Sequence, residues 1–175
     1  MRIVLIAAQS LDGFISKHAE TGTAFTSPED KAYFRKVVTG FDVAVFGAGT
    51  YRVSREAIRA QMSERLLRVV LTHSPMRAAT EGVPGQLEFT SAAPSALADD
   101  LLRRGFRNCA LLGGAQVHSL FLAAALVDEI WLTVEPVLFG AGTPLLASQT
   151  DIRLELTATE KLGNSTLLLK YRVIR

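Results

Sequence analysis

Read as a pattern of apolar and polar positions, the first two thirds of the chain contain strands with no polar face. Residues 3–8, 42–46, 67–72 and 109–112 are apolar at nearly every position and rich in Val, Ile and Leu, as strands covered on both sides are, which predicts a largely parallel sheet. Between these runs the pattern changes to that of helices at 28–38, 50–61, 95–104 and 115–125. The first helix has explicit start chemistry: Ser27 as N-cap, Pro28 at the first helical position, and Glu29 and Asp30 in the first turn, where acids complement the helix dipole. Strands separated by helix-length connections predict crossover units.

The last part changes character. Residues 129–137 read as one long strand, and RLELTATEKLGNSTLLLKYRVIR reads as two strands turning at Gly163 and Asn164, a pair suited to positive backbone angles. The predicted fold is α/β: a single domain over residues 1–175, with a mixed, mostly parallel central sheet, helices on both faces and a C-terminal antiparallel hairpin. The segment RAATEGVPGQ, residues 77–86, reads as a surface loop and not as a domain boundary.

Composition narrows the classes. With 175 residues, 49% of them hydrophobic, the chain can bury a core without staples. A net charge of +2, with acids and bases interspersed, gives no tail or run that would call for nucleic acid or a membrane surface. Cys109 is the sole cysteine, so no intrachain disulfide is possible and a reducing cytoplasm is expected; its apolar neighbours make it a buried filler. The N-terminal apolar run meets Asp12 quickly and reads as a core strand, not a signal peptide. No metal site is expected.

Ligands of open α/β sheets bind at the carboxyl ends of the strands, where helix N-termini and glycine turns offer backbone donors. Three stretches have that form. In VFGAGTYR, Gly47 and Gly49 would let a phosphate oxygen approach the amides, with the Thr50 hydroxyl beside them. The third glycine of a Rossmann fingerprint and the GK[ST] of a Walker loop are both missing. In VVLTHSP, Thr72, His73 and Ser74 form either a plain turn or a place for an extra phosphate such as the one that distinguishes NADPH from NADH. In ALLGGAQVHSLFL, Gly113 and Gly114 separate a buried strand from a helix. Together they suggest an extended dinucleotide lying across several strand ends. For a proton source the candidates are Asp30, Asp12 and Glu135, against the alternatives of dipole complement, turn aspartate and plain strand residue. His118 reads as structural, and Arg52, Arg55 and Arg59 as a solvated helical face.

Taken in order, these motifs resemble the dihydrofolate reductase superfamily, and within it the reductase domain of riboflavin biosynthesis, over nearly the whole chain. IVLIAAQSLDGFIS is similar to the first strand and active-site loop, VFGAGT to the GxxT turn, RVVLTHSP to the end of the cofactor strand, and LLGGAQVHSLFL to the glycine pair and its helix. LVDEIWLTVEPVLFGAGTPLL, with LVDE, a strand and P-x-x-x-G-x-G, is the most specific to the riboflavin branch. The resemblance implies an NADPH-dependent reductase. Gly47, Gly49 and Thr50 would hold phosphates, and Thr72, His73 and Ser74 would meet the adenosine 2′-phosphate region. Leu112, Gly113, Gly114, Ala115, Gln116 and Val117 would pass under the pyrophosphate and nicotinamide ribose.

Hydride would go to a C=N bond or sugar carbonyl of a small heterocyclic substrate, with the protein supplying position, a dry pocket and a proton. Asp30, in SPEDKAYFRK, occupies the place of the folate-reductase acid. A cis peptide between Gly113 and Gly114 and a homodimer are also implied. Two departures fall on the substrate side: YRVSREAIR replaces an acidic-proline stretch and arginine, and Leu112 stands where a glutamate commonly precedes the glycines. Three readings follow: a 5-amino-6-(5-phosphoribosylamino)uracil reductase-like enzyme, a dihydrofolate or pterin reductase with Asp30 as acid, and an NADPH-binding protein without catalysis. The zinc-deaminase signature H-x-E with P-C-x-x-C is absent, which excludes that activity.

Overall fold

The computed structural model describes the backbone of residues 1–175 and the side chains of all but 77–79. Its elements are β1 (Arg2–Ser10), β2 (Phe14–Lys17), α1 (Pro28–Val38), β3 (Val43–Gly47), α2 (Ala48–Ala60), β4 (Leu67–Leu71), the single turn α3 (Pro75–Ala78), β5 (Leu87–Thr90), α4 (Pro94–Arg103), β6 (Asn108–Gly113), α5 (Ala115–Ala123), β7 (Glu129–Glu135), β8 (Gly142–Pro144), β9 (Arg153–Lys161) and β10 (Leu167–Ile174). Eight strands form one sheet in the order β5-β4-β3-β6-β1-β7-β10-β9. The run from β5 to β7 is parallel, β10 is antiparallel to β7, and β9 to β10. Strands β2 and β8 pair separately, as a short ribbon.

The unbroken apolar runs have a direct cause. Successive residues of β1 enter different cores: Ile3 and Leu5 pack with Leu101 of α4 and Phe121 of α5, while Val4 and Ile6 pack with Tyr51 of α2 on the opposite face. A strand covered on both sides has no position left for a polar side chain. Helix α1 begins as its sequence requires, with Pro28 first and the Ser27 hydroxyl accepting the Asp30 N–H at 3.1 Å.

The sheet splits at its centre. The ladder between β1 and β6 ends at Leu5 and Leu111, whereas β1 stays paired with β7 through Ser10 and Glu135. Strand β6 bulges at Leu112, so that Phe46 of β3 pairs with Gly113. Beyond Leu5, β6 therefore follows β3 while β1 follows β7, and a slot opens between them at the carboxyl ends.

Three expectations change. The segment 77–86 is more than a loop: it holds the end of α3, a 3-10 turn at Ala79–Glu81 and a bridge from Val83 to Leu87. Glu81 Oε2 accepts from Tyr51 Oη at 2.7 Å and Arg55 Nε at 2.9 Å, and Arg59 donates to its carbonyl at 3.3 Å, so two of the three α2 arginines hold this segment instead of facing only solvent. At the hairpin turn neither Gly163 nor Asn164 has a positive φ. A Cβ on Gly163 would meet the side chain of exposed Glu29, Cγ at 2.9 Å, which would have to swing aside. Strands β2, β5 and β8, three or four residues each, are too short to show a period.

Candidate active site

One wall of the slot is built from β3 and β6 and the helices that leave them. Gly47 caps α2 and Gly114 caps α5, both with extended backbone and neither with a side-chain cap. The first-turn N–H groups of two neighbouring helices are thus free of side-chain acceptors at one sheet edge, with both positive dipole ends directed there. The Gly113–Gly114 peptide is cis, as the motif implied. A Cβ on Gly49 would meet nothing within 4 Å, and one on Gly114 would only touch Thr50 Oγ1 at 3.5 Å, so bare backbone faces open space at both. Gly47 is backed by Val117 Cγ2 at 3.1 Å from such a Cβ. At Gly113, φ is +93° and the His118 ring fills the Cβ position, with Nε2 2.7 Å away. Ala115 and Val117 are buried, Gln116 is exposed, and half-buried Leu112 packs on the α2 side of the sheet. Beyond β3, at the end of β4, Thr72 Oγ1 accepts the Ser74 N–H at 3.2 Å, and His73 and Ser74 are exposed.

The other wall is acidic. Asp30 on α1 and Glu135 at the end of β7 are 7% and 2% exposed. Glu135 Oε1 accepts from Ser27 N at 2.8 Å and Ser27 Oγ at 2.9 Å, and Oε2 accepts from Thr166 Oγ1 at 2.9 Å. Burial pushes the Asp30 carboxyl up, against a hydrogen bond from Thr133, and the neighbouring Glu135 charge pushes it the same way. Asp12 stands apart from this pair. Its carboxylate accepts from Ser10 Oγ at 2.6 Å, Phe139 N at 3.1 Å and Gly140 N at 2.7 Å, which ties the loop after β1 to the loop after β7. The Ser10 hydroxyl and those amides hold it below the usual carboxylate range. Thr133 and Thr166 escaped the sequence reading; Thr133 was findable because it lies two residues from Glu135 and therefore shares its strand face.

His118 joins the glycine turn to the far loops. Its Nδ1 donates to Leu145 O at 3.0 Å, while buried Nε2 has no partner. Next to it, Ser119 Oγ accepts from Ala147 N at 2.8 Å and Ser148 N at 3.2 Å, so α5 anchors the segment that follows β8. Among the described residues, no group of three His, Cys, Asp or Glu side chains is placed to hold a metal, and no helix is long and apolar enough to cross a membrane.

A split, mostly parallel sheet with an antiparallel end, helices on both faces and glycine turns on one wall of the slot defines a dihydrofolate-reductase-like domain. The dihydrofolate reductase of Enterococcus faecalis, in complex with NADP(H) and RAB-propyl, matches it with a TM-score of 0.69 and 17% identity over 98% of this chain and 96% of that one. More particularly, residues 2–168 match the RibD C-terminal domain, and the chain belongs to that family. The diaminohydroxyphosphoribosylaminopyrimidine deaminase/5-amino-6-(5-phosphoribosylamino)uracil reductase of Thermotoga maritima matches with a TM-score of 0.80 and 18% identity, over 99% of this chain and 56% of its own. The uncharacterized protein YwjB of Bacillus subtilis (strain 168) is 29% identical over 175 residues, 95% of each chain.

Burial lowers the His118 imidazole from 6.5 to about 4, against the hydrogen bond to Leu145. The unfolded chain therefore binds this proton first, so the stability that depends on neutral His118 is fully present above pH 6.5 and is lost as pH falls toward 4. Between pH 7 and 5 His118 should account for a loss of about 2 kcal/mol. Urea unfolding of the His118→Asn variant, which keeps a donor for Leu145 but does not titrate, should show a flatter pH dependence than wild type.

Proposed function

We propose that the protein is an NADPH-dependent reductase of the riboflavin-biosynthesis type, acting on a small heterocyclic substrate such as 5-amino-6-(5-phosphoribosylamino)uracil. The observation that carries this reading is the slot itself: two helix starts without side-chain caps on one wall and a buried, upward-shifted carboxyl, Asp30, on the other. The donor set fits a dinucleotide. Gly47, Gly49, Thr50 and the first turn of α2 would take phosphate oxygens. The run from Leu112 to Val117 would lie under the pyrophosphate and nicotinamide ribose, and Thr72, His73 and Ser74 would meet the 2′-phosphate. None of these residues is acidic, so none repels the anion. The cofactor, when bound, supplies the hydride. Asp30 holds a proton for the substrate ring, and the loops tied by Asp12 limit water at the reacting centre.

The same buried acid beside Thr133 favours a second reading, reduction of dihydrofolate or another pterin. The compartment inferred is a reducing cytoplasm, where the buried thiol of Cys109, pushed up to about 12, stays inert. We also infer a homodimer. Strand β9 is the sheet edge and is exposed along nearly its whole length, and Leu154 and Leu156 pair with Val173 and Tyr171 on the α5 side of the sheet. An exposed edge with apolar side chains invites a second copy.

NADPH at about 100 times its dissociation constant should stabilise the chain by roughly 2.7 kcal/mol in thermal unfolding. Gly114→Ala should fold like wild type yet lose at least about tenfold in NADPH affinity, because the methyl fills the space facing Thr50; Gly113→Ala should instead destabilise the fold by roughly 1–3 kcal/mol, from its positive φ and the His118 ring. NADPH oxidation with the uracil substrate and with dihydrofolate chooses between the readings, and binding without oxidation of either would leave only a cofactor-binding protein. With the substrate that is reduced, wild-type turnover should fall as pH rises through the Asp30 titration. Asp30→Asn should lower kcat by about 10²-fold or more and abolish that pH dependence. Leu156→Glu should convert the dimer to a monomer in analytical ultracentrifugation.

A further inference from the structure

Glu135 does more in this fold than sit near the slot. Three donors from two residues reach its carboxylate: the backbone N–H and hydroxyl of Ser27 at Oε1, and the hydroxyl of Thr166 at Oε2, the nearer of that hydroxyl's two acceptors at 2.9 Å against 3.3 Å for Ser27 Oγ. The Ser27 hydroxyl has one proton, which goes to Glu135, while its lone pair accepts the Asp30 N–H at 3.1 Å. The residue that begins α1 is thus gripped at its amide and its side chain by a strand 108 positions away, and the first turn of that helix carries Asp30. A carboxylate is the form that accepts three such bonds; a proton on it would displace one donor.

We propose that Glu135 is a positioning residue: its carboxylate seats the start of α1 and sets a fixed negative charge beside Asp30, so that of the two buried acids it is Asp30 that carries the proton. The inference rests on Asp30 being the acid of the proposed reductase. Charges and polar groups face Asp30 from each side. Glu135 of β7 opposes its ionisation and Lys31 of α1 favours it, while the polar side chains of Thr133 of β7 and Thr26 of the preceding loop lie close enough to favour the charged form. Burial, with the nearby Glu160 of β9 and Asp30, drives the phenol of Tyr33 on α1 far up, so that it stays neutral. With Lys31 exposed and Glu135 buried, solvent screens the favourable charge far more than the opposing one.

The test is carboxyl ¹³C NMR of protein labelled at Asp and Glu, with Asp30→Asn and Glu135→Gln used for assignment. In wild type, Asp30 should take up its proton at a pH where Glu135 still reads as a carboxylate; a proton appearing on Glu135 first would overturn the proposal, and this measurement needs no variant other than for assignment. In Glu135→Gln the Asp30 titration should move to lower pH, and the fall of kcat with rising pH should begin earlier, with KM changed by less than about threefold. Glu135→Asp, which restores the charge, should move both back toward wild type. An Asp30 titration unmoved in Glu135→Gln, or moved equally by Gln and Asp, would show that packing and not charge is at work. Because the titration is read without substrate, its failure is distinct from failure of the reductase reading, which would appear as no NADPH oxidation in a protein whose two carboxyls titrate as expected.

Discussion

The parting of β1 from β6 is the constraint on which the rest of the site depends. Six parallel strands need both faces covered, so their side chains are committed to two hydrophobic cores and cannot supply chemistry along their length. Chemistry is possible only where the strands end. By ending the β1–β6 ladder at Leu5 and Leu111 while β1 continues alongside β7 to Glu135, the sheet exposes two different edges to each other. One consists of backbone N–H groups at helix starts, a surface for anions; the other consists of carboxyls beneath α1. The bulge at Leu112 is what allows both to exist, since it lets β6 rejoin β3 at Gly113 instead of returning to β1.

Each wall is held in place by groups remote from it. The glycine turn rests on His118, whose ring occupies the space behind Gly113 and whose Nδ1 reaches Leu145. Through Ser119 the same helix fixes Ala147 and Ser148, after the ribbon strand β8 that pairs with β2. On the acidic wall, two buried carboxyls would be costly if both were charged and unpaired. The cost is reduced by giving Glu135 three donors and leaving Asp30 desolvated beside it. Asp12 then joins the loops above the slot from outside, as an exposed carboxylate bound to two amides.

Much of this was legible locally. The strands with no polar face, the Ser27-Pro28 start of α1 and the glycine turn all follow from patterns a few residues long, whereas the cis peptide in that turn was implied only by the family resemblance. Errors arose where a local pattern has two physical causes. Gly163 next to Asn164 suggested positive backbone angles, yet neither residue adopts one, and Gly163 packs against the Glu29 side chain of another element. The arginines of α2 do form an exposed face, as their spacing implies, but Arg55 and Arg59 also bind Glu81, which comes to them from the segment after β4.

The sequence by itself determined the class of fold, the edge of the sheet where glycine turns and helix starts gather and the backbone-rich character of one wall, because periodicity, caps and glycines act within a turn or a strand. Only the tertiary structure decided which acids meet. Asp30, Glu135 and Thr166 lie on a helix, a strand and a turn far apart along the chain, and they converge because β7 continues past the point where β6 leaves and β10 returns antiparallel against it. Hydrogen bonds and charge act over a few ångströms of space, and the chain reaches those distances only after the sheet has closed around them.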